Sequence, residues 1–87
     1  MNTNSIYAAL DLHSSHSVLG SMNHNGDWLG WSRFRTDPQT LQDQVRALGD
    51  RVQLTVEASS LTRWAVGVVR PLVERLVVCE QIGRAHV

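Results

Sequence analysis

The sequence predicts an α/β domain built on a mixed sheet, with elements in the order β-β-β-α-β-α-β. Three observations lead there. Short apolar segments of strand length open the chain and are separated by turn residues. The pair Asp37-Pro38 then marks a helix start. Beyond it, helix-like and strand-like stretches alternate. Strands separated by a helix imply parallel crossovers, so parallel and antiparallel pairs share one sheet.

Ile6 to Leu12 is an apolar run broken by Asp11, and the β-formers Ile6 and Tyr7 suit a buried strand. His16 to Met22 is a second strand, weakened by Ser17, Gly20 and Ser21. Asn23 to Asp27 is a turn, because Asn25-Gly26 tolerates positive φ. Trp28 to Phe34 is a third strand. Regular alternation would place Trp28, Gly30, Ser32 and Phe34 on one face and Leu29, Trp31 and Arg33 on the other. Together these strands make an antiparallel meander. Asp37 is suited to cap the first helix, and Pro38 fits its first position, where a missing N–H costs nothing. Leu41, Val45 and Leu48 recur at helical spacing, and Gly49 stops the helix. Val52 to Val56 alternates strictly and reads as a fourth strand parallel to the first, with Glu57 just beyond it. Ser59 or Ser60 caps a second helix whose apolar stripe is Leu61, Trp64, Ala65, Val68, Val69 and Leu72. Pro71 removes a helical hydrogen bond and predicts a kink or an end nearby. Leu76 to Cys79 is a short apolar fifth strand.

A length of 87 residues with 43% hydrophobic content suits one small domain with one core, over residues 6–80. No stretch approaches the roughly 20 apolar residues of a membrane span. The start of the chain lacks the basic and apolar regions of a secretory signal, so no membrane partner is expected and the cytoplasm is the expected compartment. Cys79 is the only cysteine, which excludes an internal disulfide and a multi-cysteine zinc site. Eight acidic residues balance eight basic ones, all Arg, so no global field draws the chain to nucleic acid.

Two carboxylates stand out. Asp11 interrupts an apolar strand, and Glu57 ends an alternating one. A carboxylate near a core stays ionised only with a compensating charge, which a divalent cation would supply. If the first and fourth strands are neighbours, both carboxylates meet at one sheet edge, a geometry suited to magnesium. The alternative is that both simply end strands and face solvent. The remaining candidates point to structure first. His13 and His16 could be imagined as zinc ligands beside Asp11, but a surface loop accounts for them. Trp28, Trp31 and Trp64 could stack on bases, while core filling is the expectation for at least two. Arg33 and Arg35 could touch phosphate, or lie on a solvated face. Cys79, in an apolar run, is expected to be buried and inert.

Tyr7-Ala-Ala-Leu-Asp11-Leu-His13, the Asn25-Gly26 hairpin, Val52-Gln-Leu-Thr-Val-Glu57-Ala-Ser and Leu76-Val-Val-Cys-Glu80 together resemble the N-terminal domain of DEDD-type insertion-sequence transposases, which include the Piv-type DNA invertases. The resemblance implies a ribonuclease-H-like, RuvC-like fold, incomplete here at its C-terminus. It matches Asp11 to the first Asp of the family's acidic tetrad and Glu57 to its Glu, both as catalytic and metal-ligating residues. It further implies Mg2+ as cofactor, metal-dependent phosphoryl transfer in DNA transposition, and a bacterial cytoplasmic setting. The implied partners are the DNA of element ends and target, in some members a guide RNA, and further copies of the full-length protein. The family's other two Asp come from a later helix that does not follow here, so the 87-residue chain is expected to be inactive alone.

Residues 81–87 break the pattern: Ile82 to Val87 resembles the translation of a sequencing adapter, and reads as a non-native tail on a truncated frame. Two other function classes compete. One is a non-catalytic ribonuclease-H-like interaction module. The other is an actin-like ATP-binding domain, which also opens with a meander and an early Asp. That class needs a Gly-rich phosphate loop, whereas Leu-His-Ser-Ser-His follows Asp11.

Overall fold

The computed structural model describes residues 5–80, so the expected tail at residues 81–87 lies outside the described residues. Strands β1 (Ile6–Asp11), β2 (His16–Met22) and β3 (Trp28–Arg35) come first, followed by helix α1 (Pro38–Arg46), β4 (Val52–Glu57), helix α2 (Thr62–Val69) and β5 (Arg75–Cys79). The sheet order is β3-β2-β1-β4-β5. β1 pairs antiparallel with β2 and parallel with β4, and β5 adds a second parallel edge to β4. The molecule is thus a mixed α/β fold with a five-stranded mixed sheet and two α-helices.

Alternation decides what each strand buries. Ala8 and Leu10 of β1, Leu19 of β2, Phe34 of β3, and Val52, Leu54 and Val56 of β4 all point to one side. There they meet Leu41 and Val45 of α1 and Ala65 and Val69 of α2, with Leu48, Trp64 and Leu76 closing the margin. Both helices therefore cover one face of the sheet, and the other face has no element laid over it among the described residues. A molecule only 21 Å thick along its shortest axis accords with two layers at about 10 Å spacing.

Local chemistry explains the element ends. The Asp37 side chain accepts from the Thr40 amide and hydroxyl, and Pro38 opens α1. Gly49, three residues past the last helical residue, takes φ 110°, a left-handed value natural to glycine. The β2–β3 turn is an Asx-type loop: the Asn23 side-chain oxygen accepts from the amides of Asn25 and Asp27, and Gly26 has φ 85°. Pro71 ends α2 in a 3-10 turn over Arg70–Leu72, as its missing N–H requires.

Three expectations need correction. Neither Ser59 nor Ser60 caps α2; Leu61 occupies that position, and the Ser59 hydroxyl accepts from the Leu61 amide in a turn before the helix. Cys79 is exposed, because α2 and its 3-10 turn leave β5 at an uncovered edge. Trp28 does not share a face with Ser32 and Phe34. The β2–β3 register skips Leu29, pairing Ser21 with Gly30 and Met22 with Trp28. This bulge turns Trp28 to the open face.

Candidate functional site

Leu10 of β1 pairs with Val56 of β4 in parallel register, so the next residues along, Asp11 and Glu57, stand side by side. Both are exposed, one position away from fully buried neighbours, at the carboxyl ends of adjacent parallel strands. Ends of this kind are where open α/β sheets place their ligands. Both carboxylates line one depression of about 670 Å³ on the open face. Trp28 and Trp31 wall the depression on one side, and Cys79 and Glu80 line it on the β5 side. A volume of this size falls within the roughly 300–1,000 Å³ common for small-ligand sites.

The backbone beneath the carboxylates is tied down. The Ala58 amide donates to the Cys79 carbonyl at 2.7 Å, extending the β4–β5 ladder past Glu57. The Thr62 hydroxyl donates to the Glu57 carbonyl at 3.2 Å. On the Asp11 side, the Thr36 amide donates to the Ser15 carbonyl and the Thr36 hydroxyl to the His13 carbonyl. With that proton spent, the buried Ser17 hydroxyl donates to Thr36 Oγ1 at 2.7 Å. Thr36 therefore pins the loop after Asp11 to the end of β3. Sequence reasoning passed over both threonines, since a lone Thr beside a strand carries no motif.

His13 Nε2 lies 3.2 Å from Asp11 Oδ2, with both side chains more than half exposed. Such a pair contributes little to stability but occupies one oxygen of the carboxylate. His16 turns to Ser15 instead, and among the described residues no three His, Cys, Asp or Glu side chains cluster as a metal-binding group. The zinc constellation of His13, His16 and Asp11 thus does not form. A pair of accessible carboxylates side by side does fit a hard, water-rich divalent cation such as magnesium, which needs only one or two protein carboxylates.

Trp28 and Trp31 are 60% and 64% exposed, against the expectation of a core role, while Trp64 packs against the core. Gly20 and Gly30 were the available signal: a glycine inside a strand marks a bulge or a close approach. Arg33 and Arg35 are exposed, as on a solvated face.

No protein-family model matches the chain, and no curated protein does. Solved structures are similar to it in fold. A protein from Bacteroides thetaiotaomicron with an actin-like ATPase fold and unknown function aligns at TM-score 0.62 and 10% identity, over 87% of this chain and 33% of that one. The foamy viral protease-reverse transcriptase, solved in complex with double-stranded DNA, aligns at TM-score 0.53 and 11% identity, over 93% of this chain and 20% of that one. At such identities the likeness is one of fold alone. The chain spans about a third and a fifth of the lengths of these proteins.

Proposed function

We propose that the chain carries the carboxylate pair of a divalent-metal site for phosphoryl transfer on DNA, within a ribonuclease-H-like domain of the kind found in the insertion-sequence transposases its motifs resemble. The observation that carries this reading is the juxtaposition of Asp11 and Glu57 at the ends of adjacent parallel strands, lining one open depression. Asp11 and Glu57 would hold Mg2+ through carboxylate oxygens, with His13 fixing one oxygen of Asp11. When bound, the metal supplies charge stabilisation at a scissile phosphate and a more acidic water. The protein's own part is positional: two strands set the carboxylates side by side, and Thr36 and Thr62 hold their loops. With no third ligand clustered among the described residues, a bound Mg2+ would draw its remaining ligands from water and would be held weakly. Element-end and target DNA, a guide RNA and a homo-oligomer are partners proposed for the whole protein on the same ground.

The test is thermal unfolding with magnesium, read without any activity. At about ten times Kd, binding to the native state adds about 1.4 kcal/mol, or roughly 5–10 °C in Tm for a domain of this size. Wild type should gain this shift, and Asp11→Asn and Glu57→Gln should each lose it. A wild-type Tm indifferent to magnesium would leave the non-catalytic interaction module as the better reading. The likeness to an actin-like ATPase fold favours a second reading, nucleotide binding. Stabilisation by ATP with magnesium, and none by DNA with magnesium, would select it.

A further inference from the structure

We propose that the free edge of β3 is a self-docking surface. A second copy of this chain adds its own β3 there, antiparallel about a two-fold axis at Ser32, so that Trp31 of each copy meets Arg33 of the other. This gives the homo-oligomer proposed above a surface, and it does not rest on the metal-site reading.

Among the described residues β3 has only β2 beside it, at the margin of the sheet opposite β5. Its hydrogen-bond phase is fixed. The Thr36 amide donates to the Ser15 carbonyl, and the ladder then runs regularly from His16–Arg35 to Ser21–Gly30. Bonded pairs alternate along an antiparallel ladder, so Phe34 and Ser32 turn their amides and carbonyls to β2, while Arg33 and Trp31 turn theirs outward. The side chains of Trp31 and Arg33 share the open face, opposite Gly20 and Val18, and both are exposed. Arg33 forms no ion pair among the described residues, and no proline interrupts the edge. Any backbone can extend an edge strand, so the side chains select the occupant. Three centres are open to a two-fold axis near the middle of β3. Centred on Arg33, the pairing opposes two guanidinium groups. Centred on Trp31, it draws in Leu29 and Gly30, where the bulge breaks the ladder. Centred on Ser32, it sets each indole against a guanidinium on the same face, within cation–π reach, and the symmetry makes that contact twice. Charges guard an edge when copies bring like charges together. In this register they do not meet, and a net charge of zero leaves no global repulsion between copies. The edge therefore carries its own complement, which a foreign strand would have to supply in the same order.

The test is sedimentation equilibrium of the full chain from micromolar to millimolar concentration, with amide hydrogen exchange on the same samples. A reversible monomer–dimer equilibrium should appear, equally with EDTA and with magnesium. The Trp31 and Arg33 amides should gain protection as concentration rises, while the Ser32 amide, already bonded to β2, stays unchanged. Arg33→Gln should weaken the dimer roughly 5- to 30-fold, which corresponds to losing two exposed cation–π contacts. Trp31→Glu should keep the dimer and make it more sensitive to salt, because each glutamate then faces Arg33 of the other copy. Association through apolar surface alone would be abolished by Trp31→Glu, and that result would overturn the proposal. Arg33→Pro removes an outward N–H that β2 does not use, so it should give a monomer that melts like wild type. The two side-chain variants decide the matter even where the proline variant melts low. A monomer at every concentration, or a dimer lost in Val78→Lys on β5 and intact in Arg33→Gln, would each overturn the self-docking edge. A wild-type Tm indifferent to magnesium, beside a dimer that Arg33→Gln weakens, defeats the metal reading and supports this one.

Discussion

Leu54 is 1% exposed at the middle of β4, between Ala8 of β1 and Leu76 of β5. Truncating it leaves a cavity that strands on both sides cannot close, so Leu54→Ala should cost about 2–5 kcal/mol. Urea unfolding should show a lower midpoint with an unchanged slope. Asp37 gives a pH-dependent counterpart. The Thr40 amide, then the Thr40 hydroxyl, hold its carboxyl below the usual carboxylate range, with Arg35 adding a smaller pull against some desolvation. A depressed folded-state pKa means that this stabilisation is complete above the unfolded-state value and disappears as pH falls through the folded one. Asp37→Asn keeps a capping oxygen but cannot titrate. Below about pH 4, wild type should therefore lose more of its urea midpoint than Asp37→Asn does, and parallel losses would refute the capping role. At this scale the core positions Leu41, Val45, Val52, Leu54 and Val56 were legible, because period and burial coincide for them. Cys79 was not: its apolar neighbours say nothing of what covers an edge strand.

Strand β3 shows what an element adds to its residues. Gly30 sits at φ 120° beside the skipped Leu29, and nothing lies within 4 Å of an added Cβ. Gly30→Ala should thus cost about 1–3 kcal/mol through backbone strain alone, with a shift in Trp28 emission as the bulge relaxes. Gly67, inside α2, also has open space around an added Cβ, but its backbone is helical. Gly67→Ala should instead stabilise by about 0.4–1 kcal/mol, by lowering the entropy of the unfolded chain. Two melts, of opposite sign for the same substitution, check both statements. The bulge is also where alternation misled: one skipped residue reverses the facing of everything before it in the strand. The helix start at Asp37-Pro38 and the stop at Pro71 were legible because each depends on chemistry within a few residues.

At the scale of the fold, a single core among the described residues joins one face of the sheet to both helices. Trp64, packed against that core, and the backbone helices should therefore report one transition. Tryptophan fluorescence and far-UV circular dichroism should give coincident urea curves, as expected for small single domains. Separate midpoints would mean that α2 and β5 unfold apart from the meander. Among the described residues no helix is long and apolar enough to cross a membrane. By itself, the sequence determined the order of elements, their approximate ends, the inward residues of α1 and β4 and the two carboxylates worth attention, because each follows from spacing along the chain. Only the tertiary structure decided that Asp11 and Glu57 are neighbours, that both helices cover one face and leave the other open, and that Trp28 joins Trp31 there. Those facts depend on register between strands distant in sequence, and a shift of one residue in that pairing reverses which face each side chain occupies.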